Sequence, residues 1–206
     1  MESAWELWES FWVAGVRRGA AVRRFDGELL STRIAFDDGV GAPLASESEV
    51  WLSDNRETWS RLRYRQEPGG LRASADRAGA GLGVDTLPAS GEFLLLSRLA
   101  GSGERSASYR RVDEARPEFP AAPAEIRRRP AEGIDLLAGR SVLAERFDVV
   151  AGGLRVAMHW AFDGAIVRSA WGGALLFACR GEADALYGLN PRMGDFLRHG
   201  FGEPRP

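Results

Sequence analysis

Leu154-Arg155-Val156-Ala157-Met158-His159-Trp160-Ala161-Phe162 decides the fold class. Leu154, Val156, Met158, Trp160 and Phe162 recur at period two and define one apolar face of a strand. Arg155, Ala157, His159 and Ala161 define the opposite face, which is small and partly polar. Asp163-Gly164 follows as a tight turn and Ala165–Trp171 returns. Gly172-Gly173 permits a bend, and a further strand is expected over 174–180. Two registers are open for the first strand. Either the bulky row fills an interior, or it packs outward and His159 and Arg155 face a cavity.

The same grammar extends upstream. Strand-like segments at 17–25, 28–37, 48–53, 58–66, 71–75, 91–100, 106–113 and 140–150 are separated by Gly, Pro, Asp and Ser clusters. Asp26-Gly27 is a hairpin signal, and Asp38-Gly39 and Pro68-Gly69-Gly70 mark further turns. About eight to ten strands with short connections predict an antiparallel up-and-down meander. Closure into a β-barrel would remove its exposed edges. The fold alternative is a curved antiparallel sheet wrapping helices.

Three segments break the pattern. Trp5, Trp8 and Trp12 lie at i, i+3 and i+7, with Leu7 and Phe11 flanking them, which predicts an N-terminal helix over 3–14. Ser3 and Glu6 would form its capping box and Gly15 its stop. Residues 114–130 hold Pro117, Pro120, Pro123 and Pro130 around Arg127-Arg128-Arg129, and read as an extended surface connector. Residues 182–189 and 193–199 predict short C-terminal helices, and 200–206 a frayed tail. The expectation is a single domain over 1–206.

The chain has 206 residues, 45% hydrophobic and 27% charged, with a net charge of -2. No run of one sign points to nucleic acid. The longest apolar runs fall far short of the ~20 residues a membrane-spanning helix needs. The acidic N-terminus carries no signal-peptide pattern. One cysteine, Cys179, forms no disulfide framework and suits a reducing compartment, so a cytoplasmic location is expected. All 27 basic residues are arginine, a bias that fits a G- and C-rich genome better than an anion site.

A Trp-rich helix ahead of a meander resembles the lipocalin-like (calycin) group of β-barrels. The stretch Gly91–Leu99 followed by Ser108-Tyr109-Arg110-Arg111 is similar in style to a barrel hairpin of that group. Phe11-Trp12-Val13-Ala14-Gly15 departs from its Gly-x-Trp order. The resemblance implies a cavity for a hydrophobic small molecule and transfers no catalytic residue.

Chemistry-bearing motifs are sparse. His159 and His199 lack metal-ligand spacing, so neither metal nor cofactor is expected. No Gly-x-Ser-x-Gly elbow is present. Gly79-Ala80-Gly81-Leu82-Gly83 lacks the Lys-Ser/Thr of a phosphate loop and reads as a turn. Arg61, Arg63 and Arg65 alternate with Leu62 and Tyr64; they form an outward basic stripe, or a slipped register sends them inside to meet a ligand carboxylate.

The leading expectation is therefore a binding barrel for a hydrophobic small molecule. Trp51, Arg63, Tyr109, Met158, Trp160 and Trp171 are its candidate ligand contacts. The rival is a cofactor-free cyclase, isomerase or lyase on the same cavity, with His159, Arg155 and Tyr64 as candidate catalytic groups. An interaction module with a filled core is the third. Nucleic acid is not an expected partner, and homo-oligomerisation is left open.

Overall fold

The computed structural model describes residues 4–37, 39 and 41–202. Thirteen strands form one sheet among these residues. They are β1 (Trp5–Val13), β2 (Val16–Phe25), β3 (Leu29–Phe36), β4 (Leu44–Leu52), β5 (Trp59–Glu67), β6 (Leu71–Asp76), β7 (Thr86–Pro88), β8 (Ser106–Val112), β9 (Ala122–Asp135), β10 (Ser141–Ala151), β11 (Leu154–Phe162), β12 (Ala165–Trp171) and β13 (Ala174–Ala178). Helix α1 (Glu92–Ala100) lies between β7 and β8, and α2 (Glu182–Leu186) and α3 (Pro191–His199) follow β13. The strand order is β6-β5-β4-β3-β2-β1-β13-β12-β11-β10-β9-β8-β7, antiparallel except for the short β7–β8 pair.

The sheet curls but does not close. Phe25, Leu30, Val50 and Leu62 from one end of the strand order pack with Val112 and Leu87 from the other. No ladder joins β6 to β7. Side chains bridge the seam instead: Trp59 Nε1 donates to Thr86 Oγ1 at 3.2 Å, Thr58 Oγ1 to Val84 O at 3.1 Å, and Ser48 Oγ and Ser90 Oγ lie 2.9 Å apart. The closed barrel expected from the meander is thus corrected to an open, curled sheet. The shape is nearer to the alternative of a curved sheet around a helix.

Helix α1 is that inner helix. Phe93, Leu96, Leu99 and Ala100 recur at helical spacing and bury against Ile126, Phe147, Val149, Ala161 and Ile166. The segment 91–100 was expected as a strand. A continuous run such as Phe93-Leu94-Leu95-Leu96 carries no period that separates a buried strand from a buried helix. Leu99 O in its last turn and Ser102 O just beyond it accept from Arg128 Nη2, and Arg128 Nη1 meets Glu145 at 2.7 Å.

The N-terminal segment corrects the second expectation. Residues 5–13 form strand β1 at the centre of the strand order, not a helix. Trp5, Leu7, Glu9, Phe11 and Val13 face inward. Trp8, on the outer face, is buried beneath Ala185, Met193 and Leu197 of α2 and α3. A strand covered on both sides needs apolar residues on both, and this brought tryptophans to a helix-like spacing. Ser3, Asp38 and 203–206 lie outside the described residues. Of the expected frayed tail, Phe201 packs on Phe196, and Gly202 O accepts from Arg65 at 2.8 Å.

The proline-rich segment is the third correction. Strand β9 runs from Ala122 to Asp135 through Pro123 and Pro130. Pro130 sits at the irregularity between the Arg129↔Arg146 and Glu132↔Ala144 pairs, beyond the last β8 partner, where its missing N–H costs no ladder bond. The arginine triplet lies on this strand rather than on a loop. Arg127 pairs with Glu125 and Arg129 with Asp148, while Arg128 reaches the end of α1.

One glycine is required by close approach. A Cβ on Gly19 would collide with Ala35 O and lie 2.6 Å from Phe36 Cα, beneath the Phe11–Phe36 stack. Gly19→Ala is expected to lower unfolding free energy in urea by about 1–3 kcal/mol. Unchanged stability would contradict this packing.

Candidate functional site

The inner face carries a row of cross-strand neighbours. Arg23 on β2 is paired with Thr32 on β3, Thr32 with Ser48 on β4, and Ser48 with Tyr64 on β5. To one side of this row lies the apolar core of Phe25, Leu30, Val50 and Leu62. To the other lies a cavity of about 460 Å³. Period-two alternation along four strands therefore sets one polar belt as its floor. Ile34, Phe36, Leu44, Phe93, Val156 and Trp171 supply apolar wall.

Two carboxyls stand at the floor. Glu92, at the start of α1, accepts from the Tyr109 hydroxyl at 2.6 Å and lies 2.8 Å from Arg111 Nε. Burial pushes its carboxyl up to about 7; Arg111 and the Tyr109 hydroxyl oppose the rise and Glu114 adds to it. Glu114, in the turn after β8, accepts from the Ser90 N–H at 2.6 Å and from the Ser90 hydroxyl. Burial raises its carboxyl as well, against the hydrogen bonds from Ser90 and Ser48 and the charge of Arg111. Arg23 is buried, pairs with Glu9 and lies 4.4 Å from the Phe93 ring centroid.

His159 lines the same cavity, so β11 takes the register in which the bulky row packs outward. Its Nδ1 shares a hydrogen bond of 2.9 Å with Ser169 Oγ. Burial, then the charge of Arg23, holds the imidazole down to about 3. It is neutral at physiological pH and poorly suited to carry a proton. Tyr64 also lines the cavity and donates to Gln66 Oε1 at 2.8 Å. Trp171 closes one wall, edge-on to Phe11.

The other candidates lie elsewhere. Met158 and Trp160 belong to an outer cluster with Ile134 and Val142, where Glu132 accepts from the Trp160 indole at 2.7 Å. Leu154 and Phe162, the ends of that row, are exposed. The ladder skips Val156, which turns inward beside Ala157, and this irregularity breaks the strict alternation. Arg155 is exposed and does not line the cavity. Arg63 pairs with Glu49 on the outer face, and Trp51 lies under Arg61 and Arg63. The basic stripe thus faces out. Tyr109 lines a second cavity of about 510 Å³ on the other side of α1, and touches the site only through Glu92. That larger space is rimmed by loop residues such as Arg56, Glu57 and Val84, and lacks a buried ionisable floor.

Sequence reading missed Glu92, Glu114, Arg23, Arg111 and Thr32. A period-two reading of 5–13 exposes one signal: Glu9 is the single charge in the row Trp5, Leu7, Glu9, Phe11, Val13. Its partner Arg23 lies across one hairpin. Among the described residues no group of three His, Cys, Asp or Glu could hold a metal. His199 lies on α3, across the sheet from His159. No helix among the described residues is long and apolar enough to cross a membrane.

The two buried groups give opposite pH dependence. Between about 3 and 6.5 native His159 binds fewer protons than the unfolded chain, so its contribution is lost as pH falls through that window. Between about 4.5 and 7 native Glu92 binds more protons than the unfolded chain, so its contribution falls as pH rises. His159→Gln is expected to lose less stability than the parent between pH 6.5 and about 4 in urea titrations. Parallel profiles would contradict a buried neutral imidazole.

No known protein family matches the chain, and neither does any curated protein. Among solved structures it is similar to a β-barrel-like protein of the domain of unknown function DUF1849 from Brucella abortus, at 7% identity and a TM-score of 0.48, covering 85% of this chain and 94% of that one. At that identity and score the likeness says nothing of ligand or chemistry.

Proposed function

We propose that the protein binds a small, largely apolar molecule in the cavity beside α1. The observation that carries this reading is a space of about 460 Å³ with apolar walls over a polar floor built from four adjacent strands and the start of α1. Ligand sites of ~300–1,000 Å³ with few convergent polar groups have this composition. At ~30 Å³ per heavy atom, roughly 15 non-hydrogen atoms fit. The use is lipocalin-like, although the sheet is open and its interior is shared with a helix. Two interior cavities fit this reading better than an interaction module with a filled core.

A second reading keeps the cavity and adds chemistry: a cofactor-free isomerase, cyclase or lyase. Glu92 favours it, because a carboxyl held near neutrality is matched to proton transfer at physiological pH. The proton carrier would then be Glu92 rather than His159, with Tyr109 and Arg111 holding its geometry. Comparing the molecules released on denaturing the parent and Glu92→Gln tests this. A chemically distinct species retained by the variant supports turnover, and the same species in both argues for binding alone.

Ala157 lines the cavity from β11 and packs toward α1. Calorimetric titration with decanol is expected to give saturable binding, weakened about tenfold or more by Ala157→Trp. Binding that the bulky side chain leaves unchanged would place the ligand elsewhere.

A further inference from the structure

The cavity floor holds three carboxyls and two guanidiniums. Arg111 is matched by Glu92 at 2.8 Å, and Arg23 by Glu9. The third carboxyl, Glu114, is only 7% exposed, yet makes no ion pair among the described residues. Its hydrogen-bond partners are the neutral hydroxyls of Ser90 and Ser48 and the Ser90 N–H, and the charge of Arg111, which is already paired with Glu92, also acts on it. His159 adds no positive charge, because burial and Arg23 keep it neutral. A buried carboxylate without a contacting cation of its own is costly.

Two further residues line the same space. Thr32, 6% exposed, is in the cavity lining, and its Oγ1 has no hydrogen-bond partner. Tyr64 also lines the cavity and lies within reach of the Glu114 charge. A carboxyl, an unpartnered hydroxyl and an aromatic ring together suit an ammonium group, which donates to oxygens and rests against a π face. Ile34, Phe36, Leu44 and Trp171 then line the path of an apolar tail.

We infer that the cavity takes a singly charged amphiphilic amine, its ammonium group on Glu114 at the polar floor and its alkyl or aryl body along the apolar wall. This inference rests on the cavity reading above and names its ligand class. The second cavity, beyond α1, takes no part in it.

Decylamine, decanoate and decanol share a tail and differ in head group, so calorimetry on the intact protein separates the two claims. The amine is expected to bind at least about tenfold tighter than the acid or the alcohol. Glu114→Gln is expected to reduce that preference to about threefold or less. The comparison on the parent protein stands even if that variant fails to fold. An acid or alcohol that binds as tightly as the amine overturns the ammonium assignment and leaves the cavity reading intact. A preference that survives Glu114→Gln does the same. No binding of any of the three, with no response to Ala157→Trp, would remove the cavity reading and this inference with it.

Discussion

A sheet that curls without closing must be held shut and filled, and α1 does both. Phe93, Leu96 and Leu99 occupy the inside of β8–β12, so the interior is part solid and part open. The turn that leads into the helix carries Ser90, which meets Ser48 on β4 across the seam. Arg128 ties the far end of the helix to β9 and β10. Outside, Arg24 and Arg33 donate to the last carbonyls of α3, so strand guanidiniums end both longer helices. The arginine excess thus has structural work independent of any anionic ligand.

Placing a helix inside the sheet has an electrostatic consequence. Glu92 stands at its first turn and is drawn into the low-dielectric interior, where it needs Arg111 and Tyr109. The polar row Arg23, Thr32, Ser48, Tyr64 meets it there, because pleated strands in register put like positions side by side. An apolar core on one side and an apolar-walled space on the other make that row a boundary. The cavity follows from where the polar belt interrupts apolar packing, and its chemistry follows from which belt charges find partners.

Much of this was legible in the sequence. Strands β2, β3, β5, β6, β8 and β10–β12 were marked by turn residues at their ends. His159, Tyr64 and Trp171, singled out on residue type and alternation, line one cavity. The failures share one cause, burial on both faces. Strand β1 carries Trp5 and Leu7 inside and Trp8 under α2 and α3, so its period was masked. Helix α1 has Leu94 and Leu95 beside its buried stripe and read as a strand. Glu92 and Glu114 lay in the two misread segments, 91–100 and 114–130, and could not be seen as converging. Met158 and Trp160 were assigned to a ligand because bulk suggests an interior; beside α1, the small Ala157 and Ala161 take that side.

Native mass spectrometry of freshly purified protein tests the central claim most directly. The account predicts one extra small-molecule mass per chain, lost on denaturation, or its appearance when the bare protein is equilibrated with decyl amphiphiles. A bare mass both before and after that equilibration would contradict it, and the space beside α1 would then be a packing gap rather than a binding site.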